Sequence, residues 1–212
     1  MAMRSRWFVF ALLLPALALA ASPPGEEAEP WELLAGLRQR LATDGAVATG
    51  FVQTFLPAGF TTGEEERGEL ALAVPDCLRW DYETPDPKSF LICGEVAYSW
   101  TPGEPTGRRL RLHAREQAGL DLLLLPTSEL TARYRARVER GEEKLFVVLT
   151  PRAEEVGLAD ARLELDPATS LPRALAWTDL EGNRSRFEFT VYRTLISREA
   201  FVAPPGVEWR DD

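Results

Sequence analysis

The feature that most constrains the fold is a two-residue alternation of apolar and polar side chains, which returns in segment after segment from about residue 50. Leu78, Trp80 and Tyr82, for example, alternate with Arg79 and Asp81. Successive side chains of a β-strand point to opposite faces, so this pattern is typical of strands with one buried face. The alternation predicts a mainly β protein whose sheet collects apolar side chains on one face.

Turn residues separate the alternating segments at short intervals. Gly68 precedes one segment, Pro75-Asp76 separates two, and Gly94-Glu95 joins the two halves of a hairpin. Between such turns we count about eleven short strands. Because antiparallel strands joined by short turns form meanders, we expect the sheet to curl into a barrel or part of one.

Two segments have helical signals instead. Pro30 suits a first helical position, and apolar residues follow it at helical spacing, which predicts a helix from about Pro30 to Leu41. The segment from Gln117 to Leu125 is rich in leucine and ends before Pro126. A buried strand also fits its composition, but leucine favours helix over sheet, so we expect a short apolar helix.

The first twenty residues indicate a secretory signal peptide. Arg4 and Arg6 precede a short apolar run, and Ala18-Leu19-Ala20 fits the cleavage pattern. A membrane anchor is the alternative, but the apolar run is short for a spanning helix. We therefore expect an exported protein that is cleaved near Ala20.

The rest of the chain predicts a flexible leader over residues 21–29 and a single domain over residues 30–212. The net charge of −9 argues against nucleic acid or an anionic membrane surface as a partner. This charge suits a protein that stays soluble while it carries an apolar ligand. Ordinary solubilising charge explains it equally well.

The two cysteines flank a strong turn sequence, Thr84-Pro85-Asp86-Pro87. If the hairpin pivots around Pro85, then Cys77 lies opposite Cys93, and directly opposed residues have the close Cβ atoms that a disulfide requires. We predict a Cys77–Cys93 disulfide, which an exported protein permits. Two reduced and separately packed thiols are the alternative.

Signals of catalytic chemistry are weak. His113 is the single histidine, and no Gly-x-Ser-x-Gly motif supplies a nucleophile for it. A lone histidine cannot build a multi-histidine metal site, and no glycine-rich phosphate loop occurs. We therefore expect no enzyme, no metal and no cofactor. Hydrolysis by paired carboxylates stays open, because sequence cannot show which carboxylates meet.

The predicted sheet would gather large apolar side chains on one face, and the leucines of the two helices would cover them. The expected face consists of Phe51, Phe55, Leu70, Leu72, Leu78, Trp80, Tyr82, Phe90, Ile92, Tyr98, Trp100, Trp177, Phe187 and Phe189. The expected lid consists of Leu33, Leu34, Leu37, Leu122 and Leu123. From the residues alone, a solid core and a lidded apolar cavity are equally good outcomes.

A series of short motifs occurs in order along the chain. They are Phe51-Val52-Gln53, the segment from Gly68 to Pro75, Arg79-Trp80-Asp81-Tyr82 with Pro85, the segment from Asp179 to Asn183, and the segment from Phe201 to Val207. Together they resemble the LolA family of periplasmic outer-membrane lipoprotein carriers, over most of the chain from about Trp31. The Cys77–Cys93 pair is not part of the family pattern.

The resemblance implies an incomplete antiparallel β-barrel of about eleven strands, with helices as the lid of an apolar cavity. It also implies a monomeric periplasmic carrier that shields the acyl chains of lipoproteins and hydrolyses nothing. Cargo would come from an ATP-driven exporter in the inner membrane and pass to an acceptor at the outer membrane.

One position departs from the family pattern. Val74 stands where family members have an arginine that holds the lid shut. The lid would then close through apolar contact alone, or through Arg79 or Arg109. This departure favours a carrier of another lipid, such as a glycolipid or a fatty acyl product, as the alternative. A periplasmic lipid-sensing module and an esterase-like enzyme are further alternatives.

Overall fold

The fold is given by a computed structural model, which describes residues 24–111, 121–153, 157–195 and 197–211. The expected signal peptide and His113 lie outside the described residues. Thirteen strands within this part of the chain form one sheet. They are β1 Val47–Leu56, β2 Glu64–Ala73, β3 Cys77–Thr84, β4 Lys88–Cys93, β5 Val96–Trp100, β6 Thr106–Arg111, β7 Tyr134–Arg140, β8 Leu145–Pro151, β9 Leu158–Leu165, β10 Pro172–Asp179, β11 Arg184–Phe189, β12 Arg193–Thr194 and β13 Glu208–Asp211.

The sheet is open and curved, with the strand order β13-β6-β5-β4-β3-β2-β1-β11-β10-β9-β8-β7 and the short β12 beside β1. All described pairings are antiparallel except that of β6 with β13. Strand β1 joins two meanders, because it pairs with β2 on one side and with β11 on the other. The predicted incomplete antiparallel barrel is confirmed.

Three α-helices lie on one face of the sheet: α1 Pro24–Thr43, α2 Asp121–Leu124 and α3 Thr127–Arg133. Helix α1 contacts β2, α3 and the edge strand β7, so it crosses the hollow of the sheet. We call the face of the sheet on which the helices lie the concave face. Among the described residues, no helix combines the length and the apolar character needed to cross a membrane.

The helices differ from their predicted bounds. Helix α1 begins six residues before Pro30 and takes in part of the expected leader. Helix α3 was not predicted, because Leu130 is its single buried residue and gives no periodic signal. The expected helix from Gln117 to Leu125 lies partly outside the described residues, and α2 is the described part of it.

The C-terminal strap, residues 197–211, covers the part of the opposite, convex face that β3 to β6 form. It begins with a 3₁₀ turn, Arg198–Phe201, that lies against β3. It ends in β13, whose Trp209 ring contacts the rings of Tyr98 and Trp100 at centroid distances of 4.9 and 6.0 Å. Strand β13 was not predicted, because its four residues show no extended alternation.

Candidate functional site

Strand pairing decides which of the expected residues share the concave face. Trp80 pairs with Leu70 on one side and with Phe90 on the other. Phe51 pairs with Phe189 across the join of the two meanders. Alternation along the paired strands brings twelve of the expected residues to this face. They are Phe51, Phe55, Leu70, Leu72, Leu78, Trp80, Tyr82, Phe90, Ile92, Trp177, Phe187 and Phe189.

Tyr98 and Trp100 lie on the convex face, so the expectation that they share a face with Trp80 is wrong. The two-residue turn between β4 and β5 pairs Cys93 with Val96. An odd-numbered residue of β4 therefore faces the same way as an even-numbered residue of β5. Tyr98 accordingly pairs with Leu91. The length of the turn decides whether the odd-numbered or the even-numbered residues of β5 face the concave side. Alternation within each strand does not contain this information.

The centre of the concave face is an aromatic cluster, which we define as Phe51, Trp80, Tyr82, Trp177, Phe187 and Phe189. The Phe51 ring meets Trp80 edge-to-face at 4.9 Å, and Phe187 lies 4.8 Å from Trp80. Trp177 stacks on Phe187 at 5.3 Å. Phe51, Trp80 and Phe187 are each at least 97% shielded from solvent. Side chains from both meanders therefore form one buried apolar surface.

Gly68 makes part of this cluster possible. It lies on β2 between Phe51 and Tyr82, and it pairs with both. Because it has no side chain, the two rings meet above it at 5.0 Å. A Cβ atom at this position would come within 1.9 Å of the Asp81 carbonyl oxygen. The glycine of the motif is thus explained by close approach of the backbone and by ring packing.

The hydroxyl group of Tyr82 is a polar group within the aromatic cluster, and it has a hydrogen-bond partner. It donates a hydrogen bond to Gln53 Oε1 at 2.6 Å. Lys88 Nζ lies 4.6 Å from the centre of the Tyr82 ring and 2.6 Å from Glu66 Oε1. Burial raises the pKa of Tyr82, and the Glu66 charge raises it further. The phenol therefore stays protonated and remains a donor at neutral pH.

The expected lid residues lie over the concave face. Leu34, Leu37, Leu122 and Leu123 are buried in the same apolar core as the aromatic cluster, and Leu33 packs against it. Helices α1 and α2 are joined by a hydrogen bond from Arg38 Nη1 to the Leu123 carbonyl oxygen at 3.2 Å. Burial lowers the pKa of Arg38, and the nearby Glu129 charge opposes that effect.

Neither of the arginines named as substitutes for the missing lid arginine lies at the lid. Arg79 Nη1 donates to the Ala200 carbonyl oxygen at 2.9 Å, which fastens the C-terminal strap. Arg109 forms two hydrogen bonds with Asp211 at 2.6 and 3.0 Å. Val74 packs against the apolar core. Arg38 joins the helices instead. It was not predicted, although its position four residues after Leu34 places both side chains on one side of the helix.

The predicted disulfide is confirmed. Cys77 and Cys93 pair directly across β3 and β4, with their Cα atoms 4.2 Å apart and an S–S distance of 2.04 Å. The bridge lies on the convex face, because both residues alternate with Leu78 and Ile92. It therefore braces the hairpin that presents Trp80, from the side opposite the aromatic cluster.

A groove of about 530 Å³ opens at one side of the concave face, among residues of β4, β5, β6 and β13. Phe90 lies on it and is 36% exposed. Its ring contacts that of Tyr82 at 6.0 Å. The groove also contains the cationic side chains of Lys88, Arg108 and Arg210. A continuous path of aromatic rings thus leads from buried Trp80 to a basic, solvent-exposed rim.

Comparisons with known proteins agree with this geometry. The family model described as outer membrane lipoprotein carrier protein LolA matches residues 44–201. No curated protein matches the chain.

Solved structures share the fold at low sequence identity. An uncharacterized conserved protein from Thermus thermophilus is 11% identical, with a TM-score of 0.57 over 87% of this chain and 99% of that one. A putative outer membrane lipoprotein-sorting protein domain from Vibrio parahaemolyticus is 13% identical, with a TM-score of 0.51 over 82% and 95%. The MucA/MucB complex of Pseudomonas aeruginosa is more distant, with 14% identity and a TM-score of 0.49 over 85% and 62%.

Proposed function

We propose, since this chain belongs to the LolA family of outer membrane lipoprotein carrier proteins, that it holds the acyl chains of lipoproteins against its concave face. It would carry them through the periplasm from the inner to the outer membrane. Members of the family are periplasmic carrier proteins. The Cys77–Cys93 disulfide is consistent with that compartment, because disulfides form and persist under oxidising conditions.

Twelve apolar side chains on one concave face, beneath helices that cross it, support this proposal more than any other observation. The convex face is partly covered by the strap and bears ion pairs such as that of Arg79 with Asp81. Hydrocarbon would be sheltered only on the concave face. The path from Trp80 to exposed Phe90 supplies a place for a chain to enter.

Such a carrier stabilises its cargo by giving the hydrocarbon chains an apolar surface in place of water. Each methylene group removed from water is worth about 0.8 kcal/mol, so free diacyl cargo would aggregate. Leucine side chains of the helices pack on this apolar surface. Cargo and helices would therefore compete for one apolar surface, and this competition keeps binding reversible.

The test is extraction of cargo from inner-membrane vesicles by the purified protein. A soluble complex should form with lipid-modified protein, and the same protein without its lipid should not be retained. Trp80→Glu should abolish retention, because the change places a charge among the rings of the aromatic cluster. Phe60→Glu is the matched control, since Phe60 is 66% exposed in the turn between β1 and β2.

Mass spectrometry of the soluble complex decides among the possible cargoes. Lipoprotein in the complex supports the proposal. A glycolipid or fatty acyl product in its place would identify a carrier of another lipid. Binding that leaves the lipid in the vesicles would identify a sensing module, and would contradict a carrier.

A further inference from the structure

The indole N–H of Trp80 is a buried donor without an acceptor among the described residues. The side chain is 3% exposed and lies in the middle of the aromatic cluster. Its neighbour Tyr82 is the useful contrast, because the Tyr82 hydroxyl is satisfied by Gln53 at 2.6 Å. The Tyr82 donor is therefore paired within the protein, and the Trp80 donor is not.

An unpaired buried donor costs free energy, and most buried polar groups are paired. The nearest rings, those of Phe51 and Phe187, offer only weak acceptor faces. Leu70 and Leu78, which line the same face, have no side-chain acceptor. A bound apolar ligand that carries one hydrogen-bond acceptor would therefore satisfy the Trp80 donor.

We propose that Trp80 Nε1–H donates a hydrogen bond to the ester carbonyl oxygen at the head of a bound acyl chain. This inference rests on the proposed function, and it assigns the residue that recognises the ester group of the cargo. An ester carbonyl accepts without carrying a charge or a donor of its own. A free carboxylate would bring a charge into the apolar cluster, and an amide would bring an N–H that needs its own acceptor.

The direct test compares two lipopeptides with equal chain lengths. One carries a dipalmitoylglyceryl-cysteine with ester-linked chains, and the other carries its dihexadecyl ether analogue. Displacement of an apolar fluorescent probe, below the aggregation concentration of both, gives the ratio of the affinities. The wild-type protein should prefer the ester by about fivefold, the value of one neutral hydrogen bond.

Trp80→Phe removes the donor and keeps an aromatic ring, so the preference should fall to about one. Trp209→Phe is the matched control, because Trp209 lies on the convex face, where its ring contacts those of Tyr98 and Trp100. That variant should keep the ester preference. Palmitate forms a third arm, which separates the diacylglyceryl ester from a free fatty acid and should bind more weakly than the ester.

Equal binding of ester and ether by the wild-type protein would overturn the inference, and would mean that the indole makes an N–H···π contact only. A preference that survives in Trp80→Phe would overturn it as well. If neither lipopeptide displaces the probe, the proposed function fails instead.

A second measurement avoids the variant, in case Trp80→Phe does not fold. In wild-type protein with ¹⁵N-labelled tryptophan, the Trp80 indole proton resonance should move downfield with the ester lipopeptide. It should not move downfield with the ether. An unchanged resonance with bound ester contradicts the hydrogen bond.

Discussion

Arg38 on helix α1 donates a hydrogen bond to the main-chain carbonyl oxygen of Leu123 on helix α2, 3.2 Å away. The two residues are 85 positions apart in the chain, and the bond joins the two helices over the aromatic cluster. In this protein the link therefore comes from a helix of the lid itself, whereas the resemblance placed the lid arginine on a strand at the position of Val74.

Arg38→Met should weaken the closed arrangement of the helices, because methionine keeps much of the apolar stem but cannot donate. Loss of a bond of about 1.4 kcal/mol would make opening about ten times more frequent. Stopped-flow uptake of an apolar fluorescent probe measures this as a faster association rate. Arg40→Met is the control, since Arg40 pairs with Asp44, the first residue after the end of the same helix. Equal uptake rates for all three proteins would show that Arg38 does not restrain the lid.

Gly68→Ala should destabilise the protein by about 1–3 kcal/mol, because the new methyl group would overlap the Asp81 carbonyl oxygen. It should also part the rings of Phe51 and Tyr82. Urea denaturation measures the free energy of unfolding. Gly36→Ala on α1 is the control, because its Cβ would meet nothing within 4 Å and alanine favours helix. Similar stability changes in the two variants would contradict the close approach at Gly68.

Replacing both cysteines by serine should lower the free energy of unfolding by about 3 kcal/mol, the value for a loop of about this length. The sequence separation of the pair is 16 residues. The fold should persist, because the register of β3 and β4 continues for five further residue pairs. Reduced wild-type protein should match the double variant in urea. Two free thiols in denatured, unreduced wild-type protein would refute the bridge.

The Asp166 carboxylate should titrate well below an ordinary aspartate. The backbone N–H of Thr169, the Arg173 side chain and the backbone N–H of Ala168 lower its pKa to about 2. A depressed pKa stabilises the fold above the ordinary value of 3.8, and this contribution is lost as the pH falls through 2.

Asp166→Asn should therefore be less stable than wild type at pH 7, and the difference should shrink as the pH approaches 2. An NMR titration of the carboxyl carbon measures the pKa directly, and Arg173→Met should raise it. A midpoint near 4 in the wild-type protein would contradict these hydrogen bonds.

Several features of this protein could be predicted because their causes are local. The alternation around Trp80 predicts a strand wherever it lies in the sheet, since the side-chain period is a property of the extended backbone. The Cys77–Cys93 pairing followed from a hairpin with a single turn, where the turn position sets the register. The order of motifs around Phe51, Gly68 and Trp80 was enough to indicate the family and the curved sheet.

Other features depend on contacts between distant parts of the chain. Tyr98 and Trp100 were assigned to the wrong face, because a turn of two residues reverses parity between strands and the sequence pattern within a strand does not record that change. The parallel pairing of β13 with β6 joins residues 102 positions apart, as in Glu208 with Thr106.

By itself, the sequence determined the kind of elements, the disulfide and the family, because periodicity, turn chemistry and motif order are written in neighbouring residues. Only the tertiary structure decided which side chains share a face, that Arg38 joins the helices, and that the Trp80 donor is buried without a partner. These three features depend on strand register and on packing between distant segments. The free energy of such a contact depends on both segments, so neither segment's sequence predicts it alone.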